Sequence, residues 1–409
     1  MPIFDDLHGN LNDDFLADDP DNLKNLFIIN NAVSCVNKSV ENVYIPRNVK
    51  SIPYLGFSDC VNLKSLHLPD NISNVEREAF SNCESLKEIV FLGSMKELNK
   101  KLFAGCSSLS EVIFPDMLET ISDECFLNCT NLKYLSLPES LKTIGKYAFK
   151  NCNNLSDIYL SDDIENINEG AFFKCSHLKN VALSPKLKVL DTYLFGYCSN
   201  LEEIDIPESV ELINDLAFFN CTDLKNVKFS PNISSIGSRT FSMCMNLREV
   251  DLPDSILSIK QGAFSNCLKL KKVKLPKNLK SISSGIFANC KSLKEIELPE
   301  KVTYIKNTAF LGCTNLNKIK LNHGLKFIGS RVFCDCINLE EITLPETIQN
   351  IEEYAFRSCM NLKKVVIPQT ITSISEFAFE NCPNLTIYGK KNSYAHWYAN
   401  QNKIPFRVM

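Results

Sequence analysis

Apolar positions along this chain return at one fixed interval, and that interval belongs to neither a helix nor a lone strand. From Cys60 onward a cysteine stands every 23 residues, through Cys83, Cys106 and Cys129 to Cys382, without insertion or deletion. A phenylalanine precedes each by three positions, from Phe57 to Phe379, and a leucine follows each by three, from Leu63 to Leu385. Counted from the cysteine, positions +6 and +8 are apolar in turn, as in Leu66 and Leu68, Ile89 and Phe91, Val112 and Phe114. So are +12 and +15, as in Ile72 with Val75 and Val302 with Ile305.

Alternation at +6 and +8, rich in β-branched residues, predicts a short strand, and the proline at +9 (Pro69, Pro138, Pro299) ends it because proline has no amide to give a ladder. A second extended piece is expected at +12 to +15. One tight helical or 3-10 turn then leads into the next Phe-x-x-Cys, which often reads Ala-Phe-x-Asn-Cys. Three short sides make one coil, and a coil this small cannot bury its own apolar set, so neighbours must stack about 4.8 Å apart. The expected fold class is a β-rich repeat solenoid. Parallel β-sheets stack along a rod of roughly 70–80 Å, with short helical or 3-10 turns and a cap at each end.

Residues Leu132 to Pro138 read Leu-x-x-Leu-x-Leu-Pro, and Ile144-Gly145-Lys146-Tyr147-Ala148-Phe149-Lys150-Asn151-Cys152 follows them. These segments resemble the leucine-rich repeats of the BspA-like class, whose unit reads Leu-x-x-Ile-x-Ile-Pro and then Ile-Gly-x-x-Ala-Phe-x-x-Cys. The resemblance covers about residues 37 to 388. It departs from the commonest leucine-rich repeat, in which Asn or Cys follows the last strand leucine by three. The resemblance implies attachment to host proteins or to other cells, in the manner of a surface adhesin.

Three segments are expected. Residues 1–36 form an acidic N-terminal segment and cap, where Leu7, Leu11, Phe15 and Leu16 have the spacing of a helix face. Residues 37–388 form the solenoid of about 15 repeats, opening on a degenerate coil with Asn37 in the cysteine column. Residues 389–409 form a helix-strand cap, with Tyr394, Trp397 and Tyr398 on one helix face and Pro405 after it.

Composition narrows the chemistry. With 44 basic and 48 acidic residues, a net charge of −4 and 44% apolar residues, the chain is neither disordered, collagen-like nor a polybasic nucleic-acid binder. No run nears the roughly 20 apolar residues that cross a bilayer, and Met1-Pro2-Ile3-Phe4-Asp5-Asp6 does not open a secretory signal. By sequence alone the chain is expected to insert in no membrane and to stay cytoplasmic, whereas the resemblance implies the cell surface. A column of single thiols cannot converge on one metal, and parallel Cβ atoms about 4.8 Å apart lie outside the usual 3.5–4.5 Å of a disulfide, so a ladder of buried free cysteines is expected. Cys35, Cys125 and Cys334 stand off the column. Cys125 takes the place of an inward alanine, and Cys334 is expected to be the exposed thiol. The five histidines, His8, His67, His177, His323 and His396, fall in different columns, and no phosphate-binding loop or zinc motif occurs. No enzyme activity and no cofactor are expected.

Recognition is the remaining role, and solvent-facing +5 and +7 residues should carry it. From Glu203/Asp205 through Asn226/Lys228, Glu249/Asp251 and Lys272/Lys274 to Glu295/Glu297 and Lys318/Lys320, charge alternates coil by coil and is self-neutralising. Earlier coils instead offer Val90, Ile113, Tyr134 and Tyr159, the candidate partner-binding residues. Tyr304 with Phe327, and Phe173 with Phe219, are rival strips. The expected function is a non-catalytic protein–protein recognition module, monomeric and adhesin-like by resemblance, with a host or cell-surface protein as partner. An intracellular interaction scaffold and a purely structural rod are the alternatives.

Overall fold

Almost every repeat lays down two short strands, and each pairs in parallel with its copy one coil away. The first strand takes the +5 to +7 residues, as in Ser65–His67, Glu203–Asp205 and Lys318–Lys320. Its middle side chain turns inward, with Ile204 1% and Val250 2% exposed. The second takes +14 and +15, as in Ser51–Ile52, Thr143–Ile144 and Tyr304–Ile305. Register follows the 23-residue period: Asn42 opposes Ser65, Thr120 opposes Thr143, and Glu249 opposes Lys272. Residues 132–138 form no first strand, although Leu132 and Leu135 stay buried.

The computed structural model describes residues 16–409. Its coils fall into two compact units. One runs up to Leu187 and includes Tyr197–Ser199; the other comprises Lys188–Gly196 and Asn200–Met409. Each is a β-solenoid of parallel strands, and among the described residues no helix is long and apolar enough to cross a membrane.

The third side of each coil carries the i→i−3 hydrogen bonds of a 3-10 turn, such as Ser58 to Leu55 and Cys60 to Phe57, but left-handed residues interrupt it. The residue before each column cysteine has positive φ in every coil from Asp59 to Asn381, and the residue five before does so from Leu55 to Tyr354. Those two reversals aim alternate amides at the next coil: Glu78 N–H reaches Lys100 O at 3.0 Å, Phe80 N–H reaches Leu102 O at 3.0 Å and Asn82 N–H reaches Ala104 O at 2.7 Å. The turn is therefore a third ladder. Asparagine is frequent before the cysteine because its short polar side chain tolerates the left-handed region, which costs other residues about 1 kcal/mol.

Inside, the phenylalanine column stacks ring on ring. Phe103 and Phe126 lie 5.3 Å apart at 12°, Phe126 and Phe149 5.1 Å apart at 3°. In the second unit Phe195–Phe218 and Phe218–Phe241 repeat the arrangement at 5.5 and 5.2 Å. The column leucines are buried alongside.

The ends differ from the repeat. Leu26–Ile29 and Ala32–Cys35 form an antiparallel hairpin joined through left-handed Asn30 and Asn31, and its inner strand pairs with Ser51 of the second sheet. A β-hairpin therefore abuts the first coil; of the helix expected before it, Leu7, Leu11 and Phe15 lie outside the described residues, Leu16 is helical, and Pro20–Leu23 adds one helical turn. At the other end the helix Tyr394–Gln401 begins at Ser393, whose hydroxyl accepts from the His396 amide at 3.3 Å. Buried Tyr398 lays its ring against Phe379, the last of the column, at 6.1 Å. Phe406–Val408 then pairs with Thr386–Gly389 and extends the first sheet.

Replacing Phe218 by alanine should cost about 3–5 kcal/mol, because a fully buried ring and two stacking contacts are lost. Glu295→Ala, on the solvent side of a first strand, should leave the chemical denaturation midpoint almost unchanged. Comparable losses for the two would mean that inward and outward columns are exchanged.

Candidate functional site

All eighteen cysteines are unpaired, and all but Cys382 are buried. From Cys83 to Cys382 each column thiol donates to the carbonyl of the preceding coil's phenylalanine: Cys83 to Phe57 at 3.2 Å, Cys152 to Phe126 at 3.2 Å, Cys290 to Phe264 at 3.2 Å, Cys382 to Phe356 at 3.0 Å. Burial in apolar surroundings pushes these thiols up, Cys152, Cys267 and Cys290 well above the ordinary range and Cys313 to about 12. The column ends behave otherwise. At Cys382 the Cys359 thiol beside it holds the group below the ordinary thiol range, and at Cys35 the Cys60 thiol holds it down at about 7. Cys382 also lines an open groove of about 720 Å³, shared with Met360, Phe377, Pro383 and Ile404.

Cys334 is not the exposed thiol that its position predicted. It is 6% exposed, and burial together with Asp335 raises it to about 11. Ser58, Ala104 and Ser242, at the same place in their coils, are likewise buried, while Lys150, Phe173 and Arg357 there are half-buried.

On the first sheet the +7 column of the early coils reads Tyr44, His67, Val90, Ile113, Ser136, Tyr159. Tyr44 and His67 oppose each other in register and stack at 4.3 Å and 7°. Val90 opposes Ile113, and both are half-buried. Tyr159 is 64% exposed. Tyr134, at 70%, stands in the +5 column of the coil without a first strand, so it lies beside that line rather than on it. Sequence reasoning missed the Tyr44–His67 stack; counting +7 from Asn37 finds it.

Later coils fill the same column with ion pairs. Lys228 meets Asp205 at 3.8 Å, Lys274 meets Asp251 at 2.8 Å and Lys320 meets Glu297 at 2.8 Å, each lysine reaching back one coil. The Asp251 carboxylate raises the Lys274 ammonium, and Lys320 lowers Glu297. Of the rival strips, Tyr304 and Phe327 meet in register at 6.5 Å. Phe173 packs with Tyr147 and Tyr197 at 6.4 and 5.5 Å. Phe219 belongs to the second unit.

A family model described as a BspA type leucine rich repeat region (6 copies) matches residues 28–156, 96–225, 142–271, 188–313 and 280–398. The chain belongs to the BspA-type leucine-rich repeat family. Among solved structures it is similar to a leucine-rich repeat protein from Bacteroides ovatus, at 26% identity and a TM-score of 0.77, over 94% of this chain and 97% of that one. A leucine rich cell surface protein from Faecalibacterium prausnitzii is 22% identical with a TM-score of 0.47, over 91% of this chain and 94% of that one. No curated protein matches the chain.

BspA-type repeats present columns of side chains on stacked coils, a geometry suited to interaction surfaces. Among the described residues no three His, Cys, Asp or Glu side chains gather as a metal site. The solvent-facing columns are thus the candidate site, and the thiols belong to the interior.

Native thiol labelling should modify Cys382 first, Cys35 more slowly, and the rest, Cys334 included, only on unfolding. Fast labelling of Cys334 or of several mid-column thiols would contradict this packing. A second expectation follows from the raised thiols. The folded chain keeps their protons to higher pH than the unfolded chain, so the stability they lend is complete below the ordinary thiol pKa near 9 and is withdrawn as pH rises toward the folded values. Each such thiol withdraws about 1.4 kcal/mol per pH unit. With this many, secondary structure should collapse cooperatively between about pH 9 and 11; a circular dichroism signal unchanged through that window would contradict it.

Proposed function

We propose that the chain is a protein-recognition module that takes its partner on the first sheet of its early coils, through Val90, Ile113, Tyr134 and Tyr159 with the Tyr44–His67 stack beside them. The contrast within one column carries this reading. Where Asp205, Lys228, Asp251, Lys274, Glu297 and Lys320 stand, each charge already has a partner one coil away, and a ligand would have to part them. Where Tyr44, His67, Val90, Ile113 and Tyr159 stand, the outward residues are aromatic or aliphatic. Tyrosines exposed beside aliphatic neighbours are the composition of interface anchors, since a ring brings a large apolar area at small entropic cost.

Family membership supports interaction over chemistry as the use of this surface. The finer reading, attachment to a host or cell-surface protein, draws on the BspA-type likeness. Protease applied to intact cells tests it: cleavage of the chain from outside fits an adhesin, and full protection removes that reading in favour of an intracellular scaffold.

Tyr134→Ala with Tyr159→Ala should weaken binding of any protein recovered with the unmodified chain by at least about tenfold, or about 1.4 kcal/mol, while thermal stability holds. Lys272→Ala with Lys274→Ala should retain binding. Equal losses for both pairs, or loss only for the lysine pair, would move the contact off this surface.

A further inference from the structure

A second surface, on the turn side of the first unit, joins three rings from three different columns of consecutive coils. Tyr147 meets Phe173 at 6.4 Å and 78°, and Phe173 meets Tyr197 at 5.5 Å and 83°. Two lysines are interleaved with them. The Lys150 ammonium lies 5.1 Å from the Tyr147 ring and 5.7 Å from Phe173, and the Lys174 ammonium 5.6 Å from Phe173 and 5.7 Å from Tyr197.

Local chemistry fixes this arrangement before any ligand arrives. The Tyr147 hydroxyl donates to Glu169 at 2.6 Å. Its ring lies over Gly170, where a Cβ would come within 2.2 Å of the ring, so the glycine is there to let the ring down. Tyr147, Lys174 and Tyr197 all have left-handed backbones, with φ of 53°, 63° and 64°. The turn geometry of the repeat thus aims these side chains.

Charge distinguishes these two lysines from several others on nearby coils. Neighbouring lysines are matched to carboxylates across coils, Lys142 to Glu119, Lys146 to Glu169 and Lys186 to Asp163. Lys150 and Lys174 have no acidic partner among the described residues and rest on ring faces alone. A similar grouping around Tyr354 is different, because Arg357 there is already held by Glu380 at 2.9 Å. Two unmatched cations set between aromatic edges attract carboxylates and bury the apolar groups beside them.

We propose that Tyr147, Phe173, Tyr197, Lys150 and Lys174 form a docking surface for an acidic segment of a protein partner, separate from the first-sheet surface. Its carboxylates pair with the two ammonium groups, while neighbouring side chains lie against the rings. A nucleic acid fits less well. The rings are set edge to face, so successive open faces for base stacking are missing, and two lysines do not make a basic track along a phosphate backbone.

The test uses the full chain and a short fluorescent peptide of alternating glutamate and leucine, with glutamine–leucine and lysine–leucine peptides and an oligothymidylate as comparisons. The glutamate peptide should bind, more weakly as salt rises, and the three others should not bind comparably. Lys150→Met with Lys174→Met should weaken it by about tenfold, and Phe173→Ala should weaken it too, with thermal unfolding measured in parallel. Tyr134→Ala with Tyr159→Ala should leave peptide binding unchanged, so that this surface and the first-sheet surface stand or fall separately. Absence of glutamate-peptide binding, equal binding of the glutamine peptide, tighter binding of oligothymidylate, or full binding by a folded Lys150→Met, Lys174→Met chain would each overturn the proposal.

Discussion

Through most of the column the phenylalanine carbonyl accepts two hydrogen bonds, and the second of them ties one coil to the next. Within its coil it takes the cysteine amide three residues on, as Phe80 takes Cys83 at 3.2 Å. From the following coil it takes a thiol, as Phe80 takes Cys106 at 3.1 Å. The group at that place must be small enough to lie under the stacked rings, apolar enough for an interior with no measurable exposure, and still able to donate. Alanine meets two of these needs, and serine would leave hydroxyl lone pairs desolvated. Cysteine meets all three, and from Cys60 to Cys382 no other residue type stands in the column.

A period without insertions follows from the same contact. Each thiol reaches a carbonyl 26 residues back, and each alternate turn amide reaches a carbonyl 22 residues ahead. One added residue in any coil would break both ladders and turn a strand's apolar side outward. The two ends relieve the stacking in different ways. The hairpin beginning at Leu26 continues the second sheet, and Phe406–Val408 continues the first, so neither end offers the complete edge of a coil.

Much of this was legible in the sequence. Column counting located the inward set, the strand at +5 to +7, the thiol ladder and the helix near Tyr394, because each is set by periodicity or local pattern. What stayed hidden is conformational or crosses columns. Asn151 and Asn289 before their cysteines hint at left-handed backbone, but Tyr147, Leu216 and Thr308 five before theirs carry no such mark. Cys334 looked exposed because its neighbour Phe333 faces inward; the depth of its column, set by longer side chains around it, cannot be read from alternation. Asn30-Asn31 between two apolar runs is a local hairpin signal, legible only once both runs are read as strands. The Tyr147, Phe173 and Tyr197 cluster joins different columns, whereas sequence reasoning paired Phe173 with Phe219 in its own column.

Function on this scaffold rests on which solvent-facing groups the stack leaves unmatched, and that depends in turn on the coils being held in register from within. The infrared S–H stretching band of the reduced native protein tests that register most directly. Thiols that donate to carbonyls throughout the column should give a narrow band displaced to lower frequency from that of the same chain in denaturant. A native band at the unfolded position would show that the thiols do not donate to the phenylalanine carbonyls, and loss of the band to sulfur–sulfur bonds would contradict the account outright.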